Sequence, residues 1–385
     1  MDSRKILLLH DQEYVQAGTV AEHVAAFARH SAFPLTTVNV HAAWKHAAQG
    51  HAPSATAAAA TLDTVRGGDF AAVILHYSLF GMDLYYFGAP LLEWLKGFQG
   101  LKIAFFQDEC LNCGRRFAFI DDYGVDVVYT LVEPRHFRQT WIGRTKAACV
   151  QYTIPGFVGR ELLESAERLA RENPPRSIDV GYRGRRISRL LGVEGQEKHR
   201  IGEEFVRLAR QHPLGRDLLL DIASEESSRI YGEAWPRFLA SCKAVLGVEA
   251  GLSVFDLDDA VSTGLARLRA LDPNVTEDRL YQDVVLPHEG RLFYRTISPR
   301  HFEAAALGAC QILFPGTYSG IMEPDVHYLP LAKDFSNLDE VLTRFRDEGE
   351  RKRLTDNAHH DLIASGRFTY QRFVEDFDIQ LRLLL

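Results

Sequence analysis

Apolar residues along this chain fall into short continuous runs, separated by segments in which they recur every three or four positions. The run Lys5-Ile6-Leu7-Leu8-Leu9-His10 stops at the polar Asp11-Gln12-Glu13. From Thr19 onward, Val20, Val24, Phe27 and Ala28 fall on one helical face. Further apolar runs at 35–40, 70–76, 101–107 and 125–130 read as strands, with helical segments at 52–62 and 91–98 between them. Strands buried on both faces and spaced by helix-length segments describe a parallel sheet covered on both sides.

The pattern changes near Ile154-Pro155-Gly156. A charged helix at 160–172 runs into Asn173-Pro174-Pro175, where no helix continues. A second alternation follows: strand 178–182, helix 198–211, strand 217–222, helix 235–241, strand 244–248, helix 302–309 and strand 311–314. Helices at 338–348, 350–365 and 369–384 close the chain, the last with aromatics and leucines on one side. No short-period repeat interrupts this order. The expected organisation is an α/β protein of two Rossmann-like doubly wound domains. The first spans 1–155, a linker 156–177, the second 178–366, and a C-terminal helix at 367–385 crosses back to the first. Open α/β sheets bind ligands beyond the carboxyl ends of their strands, so the halves are expected to face each other across a cleft.

Composition narrows the function. Across 385 residues the formal net charge is -7, against an electrostatic grip on nucleic acid or on an anionic membrane. No apolar run approaches the ~20 residues that span a bilayer. The basic, then apolar N-terminus lacks the length and cleavage site of a signal peptide and reads as a first strand. Five cysteines, odd in number and sparse, fit a reducing compartment and a cytoplasmic protein. Cys110 and Cys113 form one CxxC, without the two further ligands that zinc requires nearby.

The strongest chemical signal is Ser298-Pro299-Arg300-His301-Phe302-Glu303-Ala304-Ala305-Ala306-Leu307-Gly308 followed by an apolar strand. A helix start carries unpaired N–H groups and positive dipole, a seat for phosphate. Glu303 can accept hydrogen bonds from ribose hydroxyls, or can merely satisfy its own helix start. Strand 178–182 runs into the basic, glycine-containing loop Arg183-Gly184-Arg185-Arg186; arginine forks bind phosphate bidentately, and the alternative is a solvated basic loop. Arg189 and Lys198 are weaker candidates for the same work. Glu249 stands at the end of strand 244–248, between Gly247 and Gly251, beside a base or sugar or as a turn carboxylate. The loop Gly316-Thr317-Tyr318-Ser319-Gly320 is rich in glycine and hydrogen-bond donors.

These segments resemble the donor half of GT-B glycosyltransferases, the broad group that includes the CgeB-like spore-coat proteins and the family 1/4-like enzymes. The resemblance covers most of 178–380; over the first half it rests on architecture. It implies a glycosyltransferase that moves a sugar from a nucleoside diphosphate sugar to an acceptor hydroxyl, in bacterial surface polysaccharide or glycoconjugate synthesis. Glu303 would then hold the donor ribose. Arg183, Arg185 and Arg300, with Tyr318, Ser319 and Gly320, would hold the phosphates or sugar, and Glu249 would sit nearby. Many retaining members place a second, sugar-contacting glutamate eight positions before the first; that position here is Arg295. The group uses neither a tightly bound cofactor nor a catalytic metal, and Asp256-Leu257-Asp258-Asp259 comes nearest here to a metal-binding Asp-x-Asp.

The first half is expected to bind the glycan or glycoconjugate acceptor. Polar strand ends at His10-Asp11, His76-Tyr77 and Gln107-Asp108-Glu109, with His23 on the first helix, supply candidates for a general base. Asp108 and His76 rank first, then Glu109. A catalytically idle relative, a structural subunit of a polysaccharide-assembly complex and a sugar-nucleotide epimerase are the alternatives. Peripheral membrane contact and oligomeric state stay open.

Overall fold

The computed structural model describes residues 3–12, 18–41, 43, 54–81, 88–292 and 294–385. It divides into two compact units. The first comprises Met1–Ile154, Val254–Thr276 and Gln371–Leu385; the second comprises Pro155–Ser253 and Glu277–Tyr370.

The first unit is built on a six-stranded parallel sheet in the order β2-β1-β3-β4-β5-β6. Its strands are β1 (Lys5–His10), β2 (Leu35–Asn39), β3 (Phe70–Leu75), β4 (Leu101–Phe105), β5 (Val127–Thr130) and β6 (Cys149–Tyr152). Leu8 of β1 pairs with Thr37 on one side and Ile74 on the other. Ile6 to Leu9 and Ala72 to Leu75 are buried without alternation, because helices cover both faces. The Gly18–His30 helix presents Val24 and Phe27 to this sheet, and the edge of Phe27 meets Phe105 and Phe377. The Ala55–Gly67 helix starts at the Ser54 cap, so its predicted start at 52 lies outside the described residues.

Helix Tyr370–Leu384 buries Val374, Phe377 and Leu381, one stripe of the helix. Its buried Asp378 accepts hydrogen bonds from Ser31 Oγ (3.0 Å) and from the Ala32 N–H (2.6 Å). The segment Val254–Thr276, expected in the second half, groups with the first. The reason is polar and local. The Asp256 N–H donates to Cys110 O (2.7 Å), and Asp259 Oδ1 accepts the Gly114 N–H (2.8 Å) at the start of the Cys113–Tyr123 helix.

The second unit has a five-stranded parallel sheet, β13-β12-β9-β7-β8. Its strands are β7 (Ile178–Arg183), β8 (Leu220–Ala223), β9 (Cys242–Gly247), β12 (Cys310–Leu313) and β13 (Leu329–Pro330). A two-stranded antiparallel ribbon of β10 (Ala250–Leu252) and β11 (Tyr294–Thr296) follows β9 in the chain. Val180, Leu246 and Ile312 from the sheet pack with Phe205 of the Glu197–Gln211 helix and Leu342 of the Leu338–Arg346 helix. The first strand, β7, lies between β8 and β9, so the connections leave it in opposite directions. That reversal is the topological switch point, where an open α/β sheet holds a ligand. The helix expected to run unbroken over 350–365 is α-helical over Glu348–His359 and ends in a π turn, His360–Ala364.

Candidate functional site

At the switch point of the second sheet, the loops after β7 and β9 and the start of the Pro299–Ala306 helix enclose a cavity of about 230 Å³. Five basic side chains line it, Arg183, Arg185, Lys198, Arg229 and Arg300, and no carboxylate does among the described residues. Two of the five are already neutralised. Arg183 pairs with Asp221 (2.8 Å) and donates to Tyr182 O and Asp221 O (2.9 Å each). Arg229 pairs with Glu226 (2.7 Å). Arg185 is exposed and carries no partner among the described residues. Arg300 donates to Arg183 O and otherwise faces aromatic carbon.

The wall of the cavity is a stack. The Arg300 guanidinium carbon lies 5.1 Å from the Trp235 ring centroid, Trp235 and Phe238 are stacked at 5.6 Å, and Arg183 lies 4.4 Å from Phe238. Two stacked rings are held between two cations, and both rings line the cavity. Ser298 caps the Pro299–Ala306 helix, accepting the Arg300 N–H (3.4 Å), and Pro299 fits its first turn without needing an N–H. That helix opens with its first N–H groups and positive dipole end at the cavity.

Glu303 stands one turn into the same helix, partly buried. Its Oε2 accepts the Trp235 Nε1–H at 2.7 Å. Burial pushes its pKa up, while the indole N–H and the Arg300 charge pull it back down. Behind it, the buried His301 faces Gln311 Oε1 through Nδ1 (3.0 Å) and Val248 O through Nε2 (3.3 Å). Both neighbours are acceptors, yet burial holds the imidazole near a pKa of about 4, so it is neutral and donates to one of them at a time.

Glu249 turns away from the cavity. It accepts hydrogen bonds from Thr317 Oγ1 (3.0 Å) and the Tyr318 N–H (2.6 Å), and burial pushes its pKa up. A Cβ at Gly316 would lie 2.4 Å from Glu249 Oε2, so a larger residue there would displace this carboxylate. The loop expected to present donors to phosphate is folded on itself. Tyr318 is fully buried and donates to Phe314 O (2.6 Å), Ser319 Oγ accepts the Ile297 N–H (3.1 Å), and Tyr318, Ser319 and Gly320 are all left-handed.

Arg295, on β11, is locked among carboxylates. It bonds Glu194 (2.9 Å) and Glu197 (3.1 Å) and lies 3.8 Å from Glu249, while Lys333 holds Glu197 from the other side (2.7 Å). Sequence reasoning did not identify Trp235, Phe238 or this network. Trp235 announced itself only as a large aromatic opening a short helix; Glu194 and Glu197 lie about 100 residues from Arg295 in the chain, with no local signature.

In the first unit, the three base candidates have different surroundings. His76 is buried in the core: its Nδ1 accepts the Ser78 N–H (3.1 Å), so Nε2–H donates to His23 Nδ1 (2.9 Å). Burial, with His23 and His10 nearby, pushes its pKa well down. Glu109 is also buried; it accepts from Thr130 Oγ1 (2.7 Å) and the Leu131 N–H (2.9 Å), and burial lifts it to about 7. Asp108 is exposed, with a left-handed backbone at φ 53. Nearby, Asp11 pairs with His41 at 2.8 Å. Cys110 and Cys113 are free, buried thiols, Cys110 pushed up to about 12 by burial, which makes them inert.

Among the described residues no group of three or more His, Cys, Asp or Glu is placed to hold a metal ion, and no helix is long and apolar enough to cross a membrane. No protein-family model matches the sequence, and no curated protein matches it. Solved structures do match the fold. Anabaena HepE in complex with UDP-glucose superposes with a TM-score of 0.52 at 10% identity, over 99% of this chain and 100% of that one. The same protein with UDP and glucose gives 0.50 at 11% identity, over 98% and 99%. At such identity the likeness is one of fold. The architecture is GT-B, an α/β fold with two Rossmann-like units built on parallel sheets.

Proposed function

We propose that this chain is a glycosyltransferase that takes a sugar from a nucleoside diphosphate sugar and passes it to an acceptor hydroxyl, in the synthesis of a surface polysaccharide or glycoconjugate. The observation that carries this reading is the cavity at the switch point of the second sheet, lined by five basic side chains, two of them paired with acids outside it, and by no carboxylate among the described residues. Such a lining suits a dianionic diphosphate. The fold shared with HepE, whose structures hold UDP-glucose or UDP and glucose, agrees with it.

In this reading Arg185 and Arg300, with Lys198 and the opening of the Pro299–Ala306 helix, take the diphosphate, and Glu303 takes the ribose hydroxyls. Arg183 and Glu249 shape the site from behind, and the loop of Tyr318, Ser319 and Gly320 forms its backing. The bond from the sugar's anomeric carbon to the diphosphate oxygen breaks, its electron pair leaving with the diphosphate. A bond to the acceptor oxygen forms, and the acceptor's proton passes to a base. Fixed cations and the helix end stabilise the charge growing on the leaving diphosphate. They do the neutralising that a divalent ion does in other transferases, so turnover is expected without added metal and to survive a chelator. Of the three base candidates Asp108 is the exposed one, and the proton is assigned to it. With Arg295 held by Glu194 and Glu197, no carboxylate stands at the position where retaining relatives carry their sugar-contacting glutamate. The five free cysteines fit a reducing compartment, and we place the reaction in the cytoplasm.

That locked Arg295 also favours a second reading, an idle relative that binds the donor and does not turn it over. A thermal-shift screen against nucleoside diphosphates and their sugars tests the first step, since a ligand of the folded state raises the melting temperature by mass action. Binding abolished in Glu303→Ala supports the site; binding with no release of diphosphate, with or without acceptors, supports the idle reading. No shift with any nucleotide removes both.

A further inference from the structure

The contact between Trp235 and Glu303 reaches beyond that assignment. Glu303 Oε2 is taken by the indole N–H at 2.7 Å, and Oε1 accepts no hydrogen bond among the described residues. An indole N–H donates and cannot accept, so it commits one oxygen and leaves the lone pairs of the other free. The indole itself has little freedom. Phe238 is stacked on it at 5.6 Å with 24° between the planes, and the Arg300 guanidinium lies 5.1 Å from its centroid. Phe238 is held in turn by Arg183, which is anchored to Asp221 at 2.8 Å. The direction of the N–H is therefore set by a column of four side chains that ends at β8. A carboxylate on a helix otherwise turns about its own side-chain torsions; one pinned through Oε2 presents Oε1 in a single orientation.

Trp235 also lines the cavity, whereas Glu303 does not. The indole thus links the cavity wall to the carboxylate beside it.

We propose that Trp235 is a positioning residue: it pins Glu303 through one oxygen so that the other reads the vicinal hydroxyls of a ribose, which makes the site selective for ribonucleotides over their 2′-deoxy counterparts. This rests on the nucleotide-sugar reading. A ribose offers two donors to one oriented oxygen, and a 2′-deoxyribose offers one. A carboxylate free to turn would meet either with whichever oxygen was convenient and would separate them less. A purely structural Trp–Glu pair would affect the melting temperature and leave this ratio alone.

The test is calorimetric titration of the full chain with UDP, ADP and GDP and their 2′-deoxy forms, on wild type, Trp235→Phe and Trp235→His. Phenylalanine keeps the stacked ring and removes the N–H; histidine keeps a ring N–H. Wild type is expected to bind at least one ribonucleotide roughly tenfold more tightly than its deoxy form, the worth of a hydrogen bond to a charged group. Trp235→Phe is expected to bring that ratio close to one, with a melting temperature that shows it folded, and Trp235→His to restore part of it. A ratio unchanged in folded Trp235→Phe overturns the inference and leaves the nucleotide site standing. Should Trp235→Phe fail to fold, Trp235→His is compared with wild type alone: partial retention of the ratio supports the positioning role, and full loss overturns it. Binding of no nucleoside diphosphate by wild type removes the parent reading and this inference with it.

Discussion

Glu109 and His23 make opposite contributions to the pH dependence of the first unit's stability, and Glu109→Gln exposes the balance. Burial lifts Glu109 from 4.5 to about 7 and lowers His23 from 6.5 to about 3. The folded pKa of Glu109 lies above its unfolded value, so its contribution to stability is full below about pH 4.5 and is lost as pH rises through about 7. The folded pKa of His23 lies below its unfolded value. Its contribution is full above about 6.5 and is lost as pH falls toward about 3. At 1.36 kcal/mol per unit, lowering the pH from about 7.5 to about 5 adds roughly 2 kcal/mol through Glu109 and removes roughly 2 kcal/mol through His23. His10 and His76 are shifted in the same direction as His23. Glu109 and His23 thus nearly cancel, and the wild-type unit should lose stability over that range by what His10 and His76 add. Glutamine at 109 still accepts the Leu131 N–H and still faces Thr130 Oγ1, but has no proton to gain. The difference in unfolding free energy between wild type and variant should change by about 2 kcal/mol between the two pH values, with the variant falling faster in acid. Urea unfolding followed by tryptophan emission reads this, since Trp94 and Trp141 belong to the first unit and Trp141 donates to Thr130 Oγ1 (3.2 Å). Parallel pH profiles for the two proteins would refute the argument, because they would mean that the Glu109 proton is not linked to folding.

Gly251 has φ +131, and a Cβ there would lie 1.8 Å from Tyr294 O, so Gly251→Ala should break the β10–β11 ribbon and cost about 2–4 kcal/mol in chemical denaturation. Asp378→Ala strands Ser31 Oγ and the Ala32 N–H, and should cost about 1–3 kcal/mol while speeding hydrogen exchange at Ala32. Arg185 has no partner among the described residues, so Arg185→Ala should leave the melting temperature unchanged and weaken nucleoside diphosphate binding by roughly tenfold, less so at high salt; equal affinity would remove it from the phosphate site.

The strands were legible wherever burial on both faces makes an apolar run, as in β3 and β4. The switch-point helix was legible from its Gly308 stop, but its start was read at 302, whereas the Ser298 cap begins it at Pro299. Strands of three residues, β10 and β11, are too short to show alternation, and strand 217–222 shrank to Leu220–Ala223 because 212–218 is taken up by a hydrogen-bonded turn. The site was harder to read, because sequence shows which residue types are present and not which way they point. Asp108 and Glu109 are neighbours, yet one is exposed and the other sealed under Thr130. Glu249 and the loop of Tyr318, Ser319 and Gly320 were both recognised as special. They are so because they satisfy each other, a pairing across about 70 residues that local pattern does not carry. The segment Val254–Thr276 carries no local mark of its allegiance, which shows only in long-range polar contacts to Cys110, Gly114 and Arg144.

The division of the chain bears on how it is made. The second unit is closed once Tyr370 has been added, whereas the first needs Gln371–Leu385, which supply the buried Val374, Phe377 and Leu381. A chain growing from its N-terminus lays down the six-stranded sheet first, yet cannot finish covering it until the last helix has left the ribosome. The later-encoded unit is thus the first able to mature, and the earlier one waits with apolar surface uncovered. A fragment cut near residue 155 would carry all six strands and still lack two of the pieces that complete them.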